Sequence, residues 1–384
     1  MEFYIYIIII LWLVYLGGVA RNSRSIIFEY FSFLILFLFS SNSYFNGWDA
    51  YTYLRYFNVI VDKGNYEGFS VLYASGLEIG YIAILSFSAL ISDNFQFYIL
   101  IQSLIVNTLL WFGVRKLNLN FSLFALLFFC ASYTRLEMST FRQGISFSLF
   151  VFSLPYLING SRKYIVTILF ATLFHFSSVI LLILWLVKKL ELKTHALIAF
   201  AAIPMWYVTL GLYNLFISST SILPDSLSFI VLLLEHYSQY RQAGLSVLTL
   251  VNLAIYLFLI FVFYTYKIEI TKKPLLNTTM VLFGCLILLQ FYTKFMPSLI
   301  VSRFEYYFSV SLILLIQLIP SYAMGSRKYS PFIMLPLSLL MFFITFRYHL
   351  DREVYFPYTG YVEYLLFGTP PRAEEYIYRI GLDY

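Results

Sequence analysis

Residues Ser132–His175 read SYTRLEMSTFRQGISFSLFVFSLPYLINGSRKYIVTILFATLFH. Arg135, Glu137, Arg142 and Gln143 interrupt an apolar background there, and His175 lies deep in the apolar run that follows. Charge in or beside a membrane segment is costly. Where it is kept, it faces a cavity, a partner or a substrate path. The rest of the chain reads as scaffold for this stretch and for two others like it, around Asp49 and Arg303.

The background is what a membrane requires. Of 384 residues, 61% are hydrophobic and only 11% charged, against about 25% charged in a soluble domain. A mean hydropathy of +0.81, with repeated apolar runs of about 16–23 residues, predicts an all-α polytopic transmembrane bundle, a single integral membrane domain over residues 1–384. The net charge of +6 reflects Lys and Arg in cytoplasmic loops and implies no nucleic-acid partner. Cys130 and Cys285 each sit inside an apolar run and read as small hydrophobes. The first run is followed by Arg21 and Arg24 rather than a small-residue cleavage site, so it reads as a retained helix.

Apolar runs at residues 3–20, 26–41, 79–91, 95–114, 121–133, 141–157, 165–187, 197–217, 247–266, 277–292, 309–322 and 331–346 predict about 10 to 12 spans. Placing Arg21 and Arg24 inside makes residues 42–78, 218–246 and 347–384 external. The first of these stretches is too aromatic for disorder, and long loops in compact proteins carry function. The run 121–133 is short for a span, which predicts a helix that stops early, with the backbone turning back over Arg135–Arg142. Arg115/Lys116 and Arg162/Lys163 fall together inside only if one run within 79–114 and one near His175 break or re-enter. That solution puts Arg142 on the face of Asp49 and Arg303.

Nucleotide loops, HExxH, CxxC and paired DxD carboxylates are absent, and the four histidines are scattered, so no metal or nucleotide site is expected. Isolated ionisable groups remain. Arg142-Gln143 opens a helix. A guanidinium fork grips phosphate at two points, and the positive end of a helix adds to it. Otherwise Arg142 anchors the helix or pairs with Glu137. Arg303 repeats the pattern, or pairs with Glu305 or a lipid headgroup. His175 serves proton transfer or hydroxyl positioning, or makes an interhelical bond. Asp49, beside Trp48 and Tyr51, suits sugar binding or caps a loop. It shares a face with Tyr53 and Tyr56 if the segment is helical.

Taken in order, Gly47-x-Asp49 with Tyr53, Glu78-x-Gly80-Tyr81, Arg142-Gln143, Arg162-Lys163, Phe174-His175-x-Ser177 and Arg303 with Tyr307-Phe308 form a pattern. It resembles the EpsG-like branch of the Wzy-type O-antigen and exopolysaccharide polymerases. The elements run from about residue 40 to 310, and Phe176 departs from the Pro or small residue the pattern has there. The resemblance implies a GT-C-like glycosyltransferase of the bacterial inner membrane, active at the periplasmic face. It would move a growing undecaprenyl-diphosphate-linked glycan onto an incoming lipid-linked repeat unit, without metal, nucleotide sugar or other cofactor. Its partners would be those lipid-linked units, the bilayer and a chain-length regulator protein. Arg142 and Arg303 would hold diphosphate with Arg135 as a third cation, and Gln143 and Tyr51 would hold sugar hydroxyls. The base would be Asp49 or His175, with Glu78, Arg241 and Tyr307 binding substrate. A lipid-linked oligosaccharide flippase is the alternative of another class, but no internal repeat is present. An O-antigen ligase is the alternative within the same chemistry, and the Arg-Gln and Phe-His elements favour the polymerase.

Overall fold

The computed structural model describes residues 1–20, 26–187, 190–201, 247–292, 298–323, 331–346 and 358–368. Over those residues every apolar run is helical. There is no strand among them, only an isolated bridge between Ser43 and Gly360. Among the described residues six helices are long and apolar enough to cross a membrane, and six shorter apolar ones accompany them. The chain is a multi-pass membrane protein of all-α architecture. It divides into two compact units, Met1–Val179 with Ser326–Tyr384, and Ile180–Gly325.

The first unit holds α1 (Glu2–Ala20), α2 (Ile26–Ser41), α3 (Ala50–Lys63), α4 (Asn65–Ala74), α5 (Ile79–Ile91), α6 (Phe95–Lys116), α7 (Phe121–Phe128), α8 (Thr134–Met138), α9 (Phe141–Ile158) and α10 (Lys163–Thr172). Lipid tails give little hydrophobic drive between helices, so close backbone approach and polar contacts hold the bundle. At Gly113 on α6, a β-carbon would stand 2.8 Å from Phe152 Cα on α9. The buried Tyr133 hydroxyl lies 2.7 Å from the Leu36 carbonyl and 2.9 Å from Ser40 Oγ, and receives Asn107 Nδ2 at 3.0 Å.

These contacts fix which ends coincide. Glu29 at the start of α2 meets Arg115 at the end of α6, at 3.3 Å. Lys116 Nζ reaches the Tyr156 hydroxyl near the end of α9, at 3.3 Å. Arg115, Lys116 and the α9–α10 turn before Lys163 therefore share one basic end. At the other end Gln96 Nε2 donates to the Ser41 and Ser43 carbonyls. Tyr81, in the first turn of α5, lies 6.0 Å ring to ring from Tyr98 in the first turn of α6. A helix about 20 Å long that starts beside Tyr98 and ends just before Phe95 lies across this end of the bundle and does not span it. The expected re-entrant run within 79–114 is α5.

Two expectations are corrected. The 121–133 helix does not stop: a π turn over Phe129–Tyr133 lets it continue through α8 to Met138, and the chain turns at Ser139–Thr140. The buried faces of Leu136, Glu137 and Met138 carry it past the charged residues that signalled its end. Residues 42–78 are not an open loop. Tyr53, Phe57 and Ile60 bury one face of α3, and α4 follows. The 165–187 run breaks after α10 near His175, as the topology with Arg115/Lys116 and Arg162/Lys163 at one end required: residues Phe176–Leu182 form a 3-10 segment leading to α11 (Ile183–Val187).

In the second unit α11 is followed by α12 (Leu192–Ala201), α13 (Val247–Thr265), α14 (Pro274–Tyr292) and α15 (Ser298–Ala323). Asn277 on α14 ties down Leu190 by accepting its N–H and donating to its carbonyl at 2.7 Å. His195 Nδ1 lies 2.6 Å from the Tyr256 hydroxyl. The first unit is completed by α16 (Pro331–Phe346) and α17 (Tyr361–Phe367). The segment before α17 is strapped to the end of α2: Asn46 Nδ2 donates to the Thr359 carbonyl at 2.7 Å, and Tyr361 N donates to the Asn42 carbonyl.

Candidate functional site

Four of the sequence elements converge in the first unit, at the end opposite Arg115 and Lys116. Gly47 has φ +104°, and a β-carbon there would stand 2.4 Å from the Met138 carbonyl. Only glycine lets the chain press against the α8–α9 turn. Trp48 N–H then donates to Ser139 Oγ at 3.0 Å. This contact aims α3 so that Tyr53 stacks on Phe141, at 4.8 Å between ring centroids. Asp49 sits at the N-cap of α3 and makes no side-chain cap bond to that helix. Tyr51, in the first turn of the helix, is exposed.

Arg142, in the first turn of α9, does not pair with Glu137. Its Nη1 donates to Glu78 Oε2 at 2.5 Å, where Glu78 is the N-cap of α5. The guanidinium lies 5.9 Å from the Tyr81 ring centroid and also meets the Tyr53 side chain. Glu78 Oε1 accepts the Phe176 N–H at 3.3 Å. Two residues on from Glu78, Gly80 N–H donates to the Leu173 carbonyl at 2.8 Å, an approach that a β-carbon at 2.8 Å from the same oxygen would obstruct. The Glu-x-Gly-Tyr element therefore docks the start of α5 onto the break that carries His175.

His175 is buried at that break. Ser177 N–H donates to its Nδ1 at 3.3 Å, and Ser177 Oγ lies 2.6 Å from the same nitrogen. A backbone N–H only donates, so Nδ1 is an acceptor and the proton of the neutral ring is on Nε2. Gln143 is buried beside Arg142. Arg135 spends one donor on the Ala131 carbonyl, at 2.9 Å. Glu137 is 2% exposed, and neither carboxylate oxygen makes a hydrogen bond among the described residues.

The Arg303 element belongs to the second unit. Because α15 begins at Ser298, Arg303 stands in its second turn and does not open it. Tyr307, one turn further along, is fully buried. Arg241 lies outside the described residues. Among those described, no three His, Cys, Asp or Glu side chains gather into a group that could hold a metal ion.

Sequence reasoning missed Ser139 and the carboxylate partner of Arg142. Gly47 and Gly80 were the available signals, since each glycine marks a place where another segment's backbone comes close. Comparison with curated proteins yields no match, and comparison with solved structures yields none. The sequence pattern of the EpsG family matches residues 26–360, and the chain belongs to that family.

Proposed function

We propose that this protein is a surface-polysaccharide polymerase of the bacterial inner membrane, acting on undecaprenyl-diphosphate-linked oligosaccharides at the periplasmic face. Membership of the EpsG family supports a polysaccharide polymerase in general. The excess of basic residues at the Arg115/Lys116 end supports a cytoplasmic assignment for it, and so a periplasmic one for the Arg142 end. The observation that carries the reading is the meeting of Asp49, Glu78, Arg142 and His175 segments around one partly open guanidinium.

In the proposed reaction a hydroxyl at the nonreducing end of the incoming repeat unit attacks the anomeric carbon of the growing chain. The bond from that carbon to the diphosphate breaks, and undecaprenyl diphosphate leaves with the bonding electron pair. Arg142 stabilises the charge that develops on the leaving oxygens, with Arg135 as a second cation. His175, with its proton on Nε2, donates to a substrate oxygen. Asp49 takes the proton of the attacking hydroxyl. Tyr51 and Gln143 hold sugar hydroxyls.

The test is reconstitution of the purified protein in liposomes with lipid-linked repeat units, without and with a lipid A core acceptor. A ladder of lipid-linked oligomers supports the polymerase. Movement of unaltered units across the bilayer without a ladder supports a flippase, and transfer only to a lipid A core supports a ligase.

A further inference from the structure

Under the reading above, Arg142 receives the diphosphate of a lipid-linked glycan, and the present inference rests on that. The guanidinium holds an anion of the protein's own, Glu78 Oε2 at 2.5 Å. The pair is not sealed: the Arg142 and Glu78 side chains are 22% and 17% exposed, so a ligand oxygen can reach them. Nor is the fork saturated. Glu78 engages Nη1, while the buried Nε makes no hydrogen bond among the described residues. A diphosphate brings more charge and more acceptor oxygens than a carboxylate, and the planar fork takes it at two points.

Glu78 is also free to leave. It makes no side-chain cap bond to α5, so the helix start does not depend on its carboxylate. Its second oxygen holds the Phe176 N–H, in the first residue of the 3-10 segment after His175. We infer that Glu78 is a resident stand-in for the substrate's phosphate. It occupies Arg142 while the site is empty and yields to the arriving diphosphate. In leaving, it releases the Phe176 amide and loosens the turn that carries His175. Substrate binding at one side chain is thereby reported to the histidine segment.

A stand-in lowers apparent affinity by the fraction of time that it holds the site. If it holds Arg142 for about 90–99% of the time, removing its charge tightens binding by about 10- to 100-fold. The full-length protein in lipid nanodiscs is titrated with farnesyl diphosphate. Glu78→Gln keeps the side-chain shape and an acceptor for the Phe176 N–H but carries no charge. The expected result is at least about tenfold tighter binding in Glu78→Gln, with Arg142→Gln abolishing binding in either background.

Equal or weaker binding in Glu78→Gln, still abolished by Arg142→Gln, overturns the stand-in and leaves the diphosphate reading intact. Binding indifferent to Arg142 overturns the diphosphate reading itself. Hydrogen exchange on the wild-type protein gives a check independent of any variant's folding. Saturating farnesyl diphosphate speeds exchange at the Phe176 amide, and unchanged or slower exchange there overturns the inference.

Discussion

Glu78 Oε2 stands 2.5 Å from Arg142 Nη1, although the two residues are 64 positions apart. The pair joins the first residues of α5 to those of α9, and through Phe176 it reaches the break after α10. Glu137, only five positions from Arg142, is excluded by helix geometry. A β-carbon on Gly144 would stand 2.6 Å from the Leu136 carbonyl and 3.2 Å from Glu137 Oε1, so Gly144 faces α8. At about 100° per residue, Arg142 points to the opposite side of α9, toward α5.

Asp49→Asn is expected to abolish polymer formation while leaving the fold intact. The side chain makes no cap bond to α3, so the helix end loses no N-cap bond and the ~1 kcal/mol of a removed N-cap is not expected. Thermal unfolding in detergent checks this. A loss near the ~1 kcal/mol of a removed N-cap would make Asp49 a structural residue.

Gly47→Ala is expected to be far more damaging than Gly64→Ala. Both glycines have positive φ, but a β-carbon at Gly64 meets nothing within 4 Å, whereas at Gly47 it meets the Met138 carbonyl at 2.4 Å. Backbone strain alone costs about 1–3 kcal/mol. The clash at Gly47 adds to that and lifts the Asp49 segment off the α8–α9 turn. Yield of monodisperse protein and midpoint of thermal unfolding, compared between the two variants, measure the difference.

Asn46→Ala is expected to free the tail. Thr359 N–H donates to Asn46 Oδ1 at 3.0 Å in a buried setting. Losing that acceptor costs about 1–3 kcal/mol. Limited proteolysis reads the effect as faster cleavage near the Ser43–Gly360 bridge, and an unchanged cleavage rate counts against the strap.

The helical bundle was legible because twelve apolar runs leave the chain few other ways to satisfy its backbone in lipid. Arg142 and His175 were legible for the same reason: a polar group in such a run stands out. Their partners were not, because pairing is tertiary. Glu137 is the near carboxylate in sequence, and Glu78 becomes the near one only once α5 lies across the bundle end. Helix ends were read poorly where charge and helix coincide. Arg135 and Glu137 suggested a stop, yet a π turn at Phe129–Tyr133 carries the helix through them. The 42–78 stretch looked like a loop because its length and polar residues outweighed a three-residue apolar stripe, Tyr53, Phe57 and Ile60, that buries one face of α3.

The most direct test of the central claim is complementation in the native host. The gene is deleted and restored as wild type, Arg142→Ala or Arg142→Lys, and surface polysaccharide is separated on a gel with protein levels matched. The account predicts a full ladder for wild type and a single repeat unit on the core for the deletion and for Arg142→Ala. For Arg142→Lys it predicts a ladder weakened by about tenfold or more, because a point charge does not reproduce the fork. An unaltered ladder with Arg142→Ala at normal protein level would contradict it and leave Arg142 as the structural partner of Glu78.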